Sequence, residues 1–325
     1  MKKISILVPE RARLSSIEIP RHAFTEVNDI FLADGNAPIF NIQMVGLTEL
    51  VKLNDGLYSV KTDALLNDVG KTDLIIVPAM QGDLHEALKL NMEFVPWIIK
   101  QYKSGAEVAS LCVGAFLLAA TGLLKGKQCS THWRAADDFR SVFPEVKLVV
   151  DKILTDDHGI YSSGGAFSSS NLVLYLIEKY AGRDIAVRCS KMFQIDIERD
   201  SQSPFMIFRG QKEHQDESVK RAQEFIETNF RKKITVDQLS EIFGIGRRTF
   251  ERRFKAATFN SIVEYMQRVK IEAAKKQLES GRKTVSEVMY DVGYTDNKAF
   301  RDVFKKIAGM SPIEYRNRYN KVTAI

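Results

Sequence analysis

Hydrophobic residues along the chain follow two different periods, and the change falls near residue 216. Up to about residue 200, short apolar runs alternate with longer amphipathic stretches. The runs "KISILVP" (3–9), "FNIQMVG" (40–46), "DLIIVPA" (73–79) and "EVASLC" (107–112) predict strands, and "GIYSSGG" (159–165) predicts a fifth. Helical patterns lie between them, near 22–33, 83–102, 113–124, 133–142 and 169–180. The strand-like runs are continuously apolar instead of alternating, so both faces of the sheet must be covered. That predicts a three-layer α/β sandwich around a mainly parallel sheet. Ligands of such sheets sit outside the carboxyl ends of the strands, which is where Cys112 falls.

After residue 216 the strand signals stop. "DESVKRAQEFIETNF" places Val219, Ala222, Phe225 and Ile226 on one helical face, and every later segment keeps that period. The stretch "ERDSQSPFMIFRGQKEHQDES" between the halves is polar with one proline, so the expected organisation is an α/β domain at 1–200, a linker at 201–215 and an all-α domain at 216–325. The last third also repeats itself. Thr235, Val236 and Gly244 recur as Thr284, Val285 and Gly293, and Phe250, Phe254, Lys255 and Tyr265 recur fifty residues on as Phe300, Phe304, Lys305 and Tyr315. Each copy is a short amphipathic helix, a glycine and a second helix, which is the grammar of a helix-turn-helix. With Phe250 and Phe254 turned inward, Arg247, Arg248, Glu251 and Arg252 point outward; in the second copy Asn297, Lys298 and Arg301 do.

Charge sharpens this picture. Residues 1–210 carry 23 Lys and Arg against 25 Asp and Glu, whereas residues 211–325 carry 24 against 16. The basic excess belongs to the helical third alone and points to a polyanion partner there. The apolar run at the N-terminus is too short for a signal sequence, no run reaches the length of a membrane span, and three cysteines make no disulfide framework. A cytoplasmic protein without membrane contact is expected.

These residues carry two resemblances. Residues 216–320 resemble the DNA-binding domain of AraC-type transcription regulators, with two helix-turn-helix units joined by the helix "SIVEYMQRVKIEAAKKQLES"; "VGYTDNKAFRDVFKKIAGMSPIEYR" (292–316) is similar to the family's signature segment. The first unit departs from it, having "TFNS" (258–261) where Gly, x, Ser/Thr, Pro is the family pattern. The resemblance implies double-stranded DNA as partner. It assigns Arg248, Glu251, Arg252, Asn297, Lys298 and Arg301 to base edges, and Arg247, Arg253, Lys255 and Lys305 to phosphates. The first two hundred residues resemble the PfpI-like branch of the class I glutamine amidotransferase-like superfamily through "SLCVGAFLLAATGLLKGKQCSTHW" (110–133) and "GIYSSGGAFSSSNLVLYLIEKYAG" (159–182). Chains pairing the two domains form the GlxA-like group of regulators. That pairing implies sequence-specific DNA binding controlled by a small-molecule effector in the α/β domain, with a homodimer through that domain as a further candidate.

The same resemblance raises an enzyme as the rival, a cysteine hydrolase or amidase with a nucleic-acid-binding appendage. Its proteolytic members place a histidine directly after the cysteine, where this chain has Val113, and the glycine loop after the "DLIIVP" strand is altered, with Ala79 and Met80 before Gly82. His132 is the nearby alternative base. Cys112 is therefore open to three readings: a small buried hydrophobe at a tight turn, a wall of an effector pocket with Val113, Gly82 and His132, or a nucleophile. No catalytic residue is assigned. Cys129 and His132 form a C-x-x-H pair without a second pair, so neither metal nor cofactor is expected, and Cys189 reads as core.

Overall fold

A computed structural model of the chain describes residues 1–197 and 201–320. The chain divides into two compact units, Met1–Gln202 and Ser203–Ile325.

In the first unit the apolar runs become one seven-stranded sheet. Its members are β1 (Lys2–Leu7), β2 (Phe40–Gly46), β5 (Ala64–Leu65), β6 (Leu74–Val77), β7 (Glu107–Ser110), β10 (Leu154–Asp157) and β11 (Ile160–Ser163), in the order β10-β11-β7-β6-β1-β2-β5. All neighbours run parallel except β10 against β11. Small two-stranded pairs join β3 (Leu50–Leu53) to β4 (Tyr58–Lys61) and β8 (Gln128–Cys129) to β9 (Lys147–Leu148). Successive side chains of a strand point to opposite faces. Leu74 and Ile76 of β6 accordingly enter a core with α1 (Leu14–Ala33), α6 (Ser169–Ala181) and α7 (Arg183–Phe193). Ile75 and Val77 enter the other core, with α2 (Leu84–Leu90), α3 (Phe94–Lys103), α4 (Ala115–Ala120) and α5 (Ala136–Val142). Cys189 is buried in the first of these cores.

The helices expected at 113–124 and 133–142 are shorter, Ala115–Ala120 and Ala136–Val142, and two other helices differ from the sequence pattern for a tertiary reason. The single helix expected at 83–102 is broken between α2 and α3, because the buried Asn91 amide donates to Ala87 O (2.7 Å) and Glu10 O (3.0 Å) and accepts from Glu10 N (2.8 Å). The helix expected from residue 22 begins at Leu14 and runs through Pro20; its start is pinned by Arg13 N donating to Ala79 O and by Ala79 N donating to Ser16 Oγ, 2.7 Å.

The second unit is all helix: α8 (Glu217–Asn229), α9 (Val236–Phe243), α10 (Arg247–Thr258), α11 (Ile262–Ser280), α12 (Val285–Asp291), α13 (Asn297–Ala308) and α14 (Pro312–Tyr319). It has two cores, one per repeat. Phe250 and Phe254 pack with Leu239, Ile226 and Tyr265; Phe300 and Phe304 pack with Val288, Leu278 and Tyr315. Helix α11 serves both, giving Ile262 and Tyr265 to the first and Ile271, Ala274 and Leu278 to the second. Each fully buried phenylalanine contributes about 1.5–3 kcal/mol through the apolar surface it removes from water.

Of the stretch expected as a linker at 201–215, the part from Ser203 onward is fastened to this unit instead, and Ser201 and Gln202 belong to the first unit. Its "FMIF" run supplies the reason: Phe208 packs edge-on against Tyr265 at 5.1 Å, and its N–H donates to Glu272. Lys275 Nζ donates to Met206 O (2.5 Å) and pairs with Glu272 at 3.0 Å, both residues being buried. Farther along, Gln223 Nε2 donates to Gln211 O at 2.7 Å. Among the described residues no helix is long and apolar enough to cross a membrane.

Candidate nucleic-acid interface and cysteine elbow

Each repeat of the helical unit builds its turn in the same way. Thr235 caps α9 and Thr284 caps α12, in boxes closed by Gln238 and Glu287. Gly244 and Gly293 then take left-handed backbone, φ +62° and +77°, and the chain enters α10 or α13. The hydrophobic face of each second helix is held down by its two phenylalanines, which leaves the opposite face in solvent. Arg248, Glu251, Arg252, Asn297, Lys298 and Arg301 are all exposed on it, as are Lys255 and Lys305. Among the described residues no carboxylate pairs with Arg248, Arg252, Lys298 or Arg301.

Two of the arginines expected at phosphates are occupied. Arg253 makes a two-pronged bond to Asp216, Nε at 2.8 Å and Nη2 at 2.7 Å, and Asp216 also caps α8 by accepting from Val219 N. The Arg253 guanidinium holds the Asp216 carboxyl below its usual range, and the fork is a tie between helices. Arg247 pairs with Asp237 (3.0 Å) and Glu251 (3.3 Å), both solvent-exposed contacts that another anion can replace. The altered cap "TFNS" keeps its geometry. Phe259 adopts φ +55° where Gly309 has +73°, and Ser261 accepts from Glu264 N, as Ser311 does from Glu314 N.

In the α/β unit the parallel strands β1, β6, β7 and β11 end at one edge of the sheet. Cys112 follows β7 there with φ +55°, a left-handed conformation that a side chain takes only under constraint. The constraint is visible on both sides: Cys112 N donates to Ser163 Oγ at 3.2 Å, and Cys112 O accepts from Thr131 Oγ1 at 3.0 Å. Gly114 completes the elbow, since a Cβ there would lie 2.5 Å from Val77 O and 2.6 Å from Pro78 O. Cys112 is only 6% exposed and Val113 is buried beside it. Gly82 lies at the surface in the loop after β6, with φ +77°.

His132 reaches this edge through Thr131. Its ring lies against Gly165, where a Cβ would be 2.7 Å from Cδ2. Its Nδ1 accepts from Arg134 N at 3.1 Å, so in the neutral ring the proton is on Nε2. Burial first, then the charges of Arg134 and Arg13, push its pKa down and keep the ring neutral at pH 7. A ring with its acceptor nitrogen already taken by a backbone N–H is poorly placed to remove a proton from a thiol. The nearby Cys129 thiol is pushed up to about 12 by burial, which opposes the thiolate a metal would need. Away from the elbow, a cleft of about 220 Å³ opens between α1, α6 and α7, lined by Ile19, Ala23, Leu174, Ile177 and Phe193, with His22 at its polar side.

The sequence pattern missed Ser163, Thr131, Asp216 and Gln202. "GIYSSGG" carried a signal for Ser163, a small hydroxyl at a strand's carboxyl end; Asp216 and Gln202 gave none, because their partners are distant in sequence.

Comparison with known proteins matches residues 2–179 to the DJ-1/PfpI family and residues 239–318 to a helix-turn-helix domain. The HTH-type transcriptional regulator GbdR of Pseudomonas aeruginosa is 25% identical over 267 residues, covering 81% of this chain and 71% of its own. The HTH-type transcriptional regulator GlxA of Rhizobium meliloti is 21% identical over 215 residues, 66% of each chain. Drosophila melanogaster DJ-1beta shares the α/β fold at 18% identity, with a TM-score of 0.50 over 60% of this chain and 98% of its own.

Proposed function

The chain belongs to the DJ-1/PfpI family and carries an AraC-type helix-turn-helix domain, and on that premise we propose that it is a transcription regulator reading double-stranded DNA with α10 and α13. The observation that carries the reading is the pair of repeated helices whose outer faces present Arg248, Arg252, Lys298 and Arg301 without carboxylate partners, in the basic third of the chain. Arginine suits the O6 and N7 of guanine and Asn297 suits adenine, while Glu251 can accept from cytosine N4. Lys255, Lys305 and Arg247 take phosphates; Arg253 is withdrawn from that set by Asp216. Two units on one chain can read successive major grooves about 34 Å apart.

The α/β unit serves as the sensor, and a small-molecule effector acts by favouring one state of the regulator over another. We assign Cys112 a structural place in the elbow, since its backbone is held by Ser163 and Thr131, its side chain is buried, and the neighbouring His132 keeps Nδ1 on Arg134 N. A homodimer through this unit is part of the same proposal.

The test is fluorescence anisotropy of the full chain on its own upstream DNA and on a scrambled duplex at two salt concentrations. A regulator binds its site about a thousandfold or more tighter at physiological salt, with affinity falling steeply as salt rises. Arg252→Ala or Arg301→Ala should remove about 1–3 kcal/mol of discrimination, and Lys255→Ala should weaken both duplexes alike. Arg253→Ala should lower stability and leave discrimination in place; equal losses of discrimination from Arg252→Ala and Arg253→Ala would refute the assignment.

A further inference from the structure

Gln202 is the last residue of the α/β unit and is 2% exposed, although the sequence around it is polar. Its carboxamide is fully engaged. Nε2 donates to the carbonyls of Thr131 (3.1 Å), Val150 (2.5 Å) and Lys152 (3.3 Å), and Oε1 accepts from Gly165 N at 3.2 Å. The Gln202 backbone N–H donates to Asp151 O at 2.8 Å, and Ser201 Oγ donates to the same carbonyl at 3.1 Å. Gly164 has no side chain because a Cβ there would lie 2.9 Å from the Gln202 amide. Three segments distant in sequence from Gln202 thus meet on its side chain.

Two of those partners are parts of the elbow. Thr131 accepts from Gln202 with its carbonyl while its hydroxyl holds Cys112 O, and Gly165 donates to Gln202 while the His132 ring lies on it. The next residue in the chain already belongs to the helical unit. Ser203 and Pro204 are buried there against Gly309, Pro204 O accepts from Tyr319 Oη, and the buried Lys275 and Glu272 hold Met206 and Phe208. A buried amide with every group satisfied has two good states, fully seated or fully out in water, since intermediate positions leave polar groups unpaired. Such a two-state element is what coupling between distant sites requires.

We propose that Gln202 is a latch: its carboxamide joins the loops that hold Cys112 and His132 to the strap of the DNA-reading unit, so that an occupant of the elbow that shifts Thr131 or Gly165 is felt at residues 203–208. This rests on the regulator reading and names the route its control takes. Gln202 is a positioning residue and need not touch effector or DNA.

The experiment compares the full chain with Gln202→Glu and Gln202→Met, by hydrogen exchange with mass spectrometry and by anisotropy on the DNA fragment that the wild type selects. Gln202→Glu keeps the shape but sets a carboxylate against three carbonyls; Gln202→Met keeps the volume and removes the polar atoms, which provides a second variant if the first does not fold. The expected result is faster exchange at 128–132, 150–152 and 164–165, together with roughly tenfold faster exchange at 203–208 and a DNA affinity altered by about fivefold or more. Faster exchange confined to the α/β loops, with 203–208 and DNA affinity unchanged in a folded variant, overturns the latch. If the wild type shows no site preference while 203–208 still responds, the regulator reading fails and the mechanical coupling stands.

Discussion

At the scale of single residues, the two turn glycines show how one sequence position acquires two energetic roles. Gly244 and Gly293 occupy equivalent places in the repeat and both have positive φ, but a Cβ on Gly244 would meet nothing within 4 Å, whereas one on Gly293 would press into the carbonyl of Arg231. Lys270 Nζ, its pKa lowered by burial, donates to Gly293 O at 3.2 Å and would itself lie 3.1 Å from that Cβ. Gly244→Ala should therefore cost only the left-handed backbone penalty, about 1–2 kcal/mol. Gly293→Ala adds overpacking of about 1–3 kcal/mol. Denaturant unfolding of the full chain, followed in the helical signal of far-ultraviolet circular dichroism, measures both, and equal losses would show that the Arg231 carbonyl yields freely. The repeat made both glycines legible in the sequence as turn residues. Their surroundings were not legible, because Arg231 lies sixty-two residues before Gly293 and outside the repeated segment. Phe259 is the converse case: the sequence marked the cap as altered, and the structure keeps it by holding a bulky residue at φ +55°.

At the scale of elements, helix starts in the second unit are written in the sequence at fixed spacing. "TVDQ" at α9, "SIVE" at α11, "TVSE" at α12 and "SPIE" at α14 each put a hydroxyl three residues before a Glu or Gln, and all four close as capping boxes. Three of them titrate. Backbone N–H groups of Ser261, Thr284 and Ser311 hold the carboxyls of Glu264, Glu287 and Glu314 below their ordinary values. A carboxyl depressed by folding lends stability above its unfolded pKa, near 4.3, and that stability is lost as the pH falls through the lower folded value. Gln238 in the α9 box does not titrate. Between pH 5 and pH 3 the first turns of α11, α12 and α14 should lose amide protection ahead of the first turn of α9, and Glu287→Gln should remove the acid dependence at α12. Parallel loss at α9 and α12 would show that acid acts on the whole unit and not on its caps. What the pattern could not give was the break between α2 and α3, since the periodicity there is continuous and the interruption is imposed by the Glu10 loop on Asn91.

At the scale of the whole molecule, charge and core are partitioned alike. The near-neutral first unit builds its two cores around a sheet, and the basic second unit builds two others among helices, no described residue belonging to a core of each unit. With its own cores in each unit, the chain is expected to unfold in more than one transition, which no single transition temperature describes. Both tryptophans, Trp97 and Trp133, lie in the α/β unit, so intrinsic fluorescence reports that unit while circular dichroism reports both. A specific duplex at a hundred times its Kd should stabilise the helical unit by about 2.7 kcal/mol, moving its melting by on the order of 10 °C. The fluorescence transition should move by less, because it responds only through whatever coupling joins the units. Equal shifts in the two signals would mean that the chain melts as one body. A smaller residual shift in fluorescence that disappears in Gln202→Glu would instead give the size of the coupling that passes through that side chain.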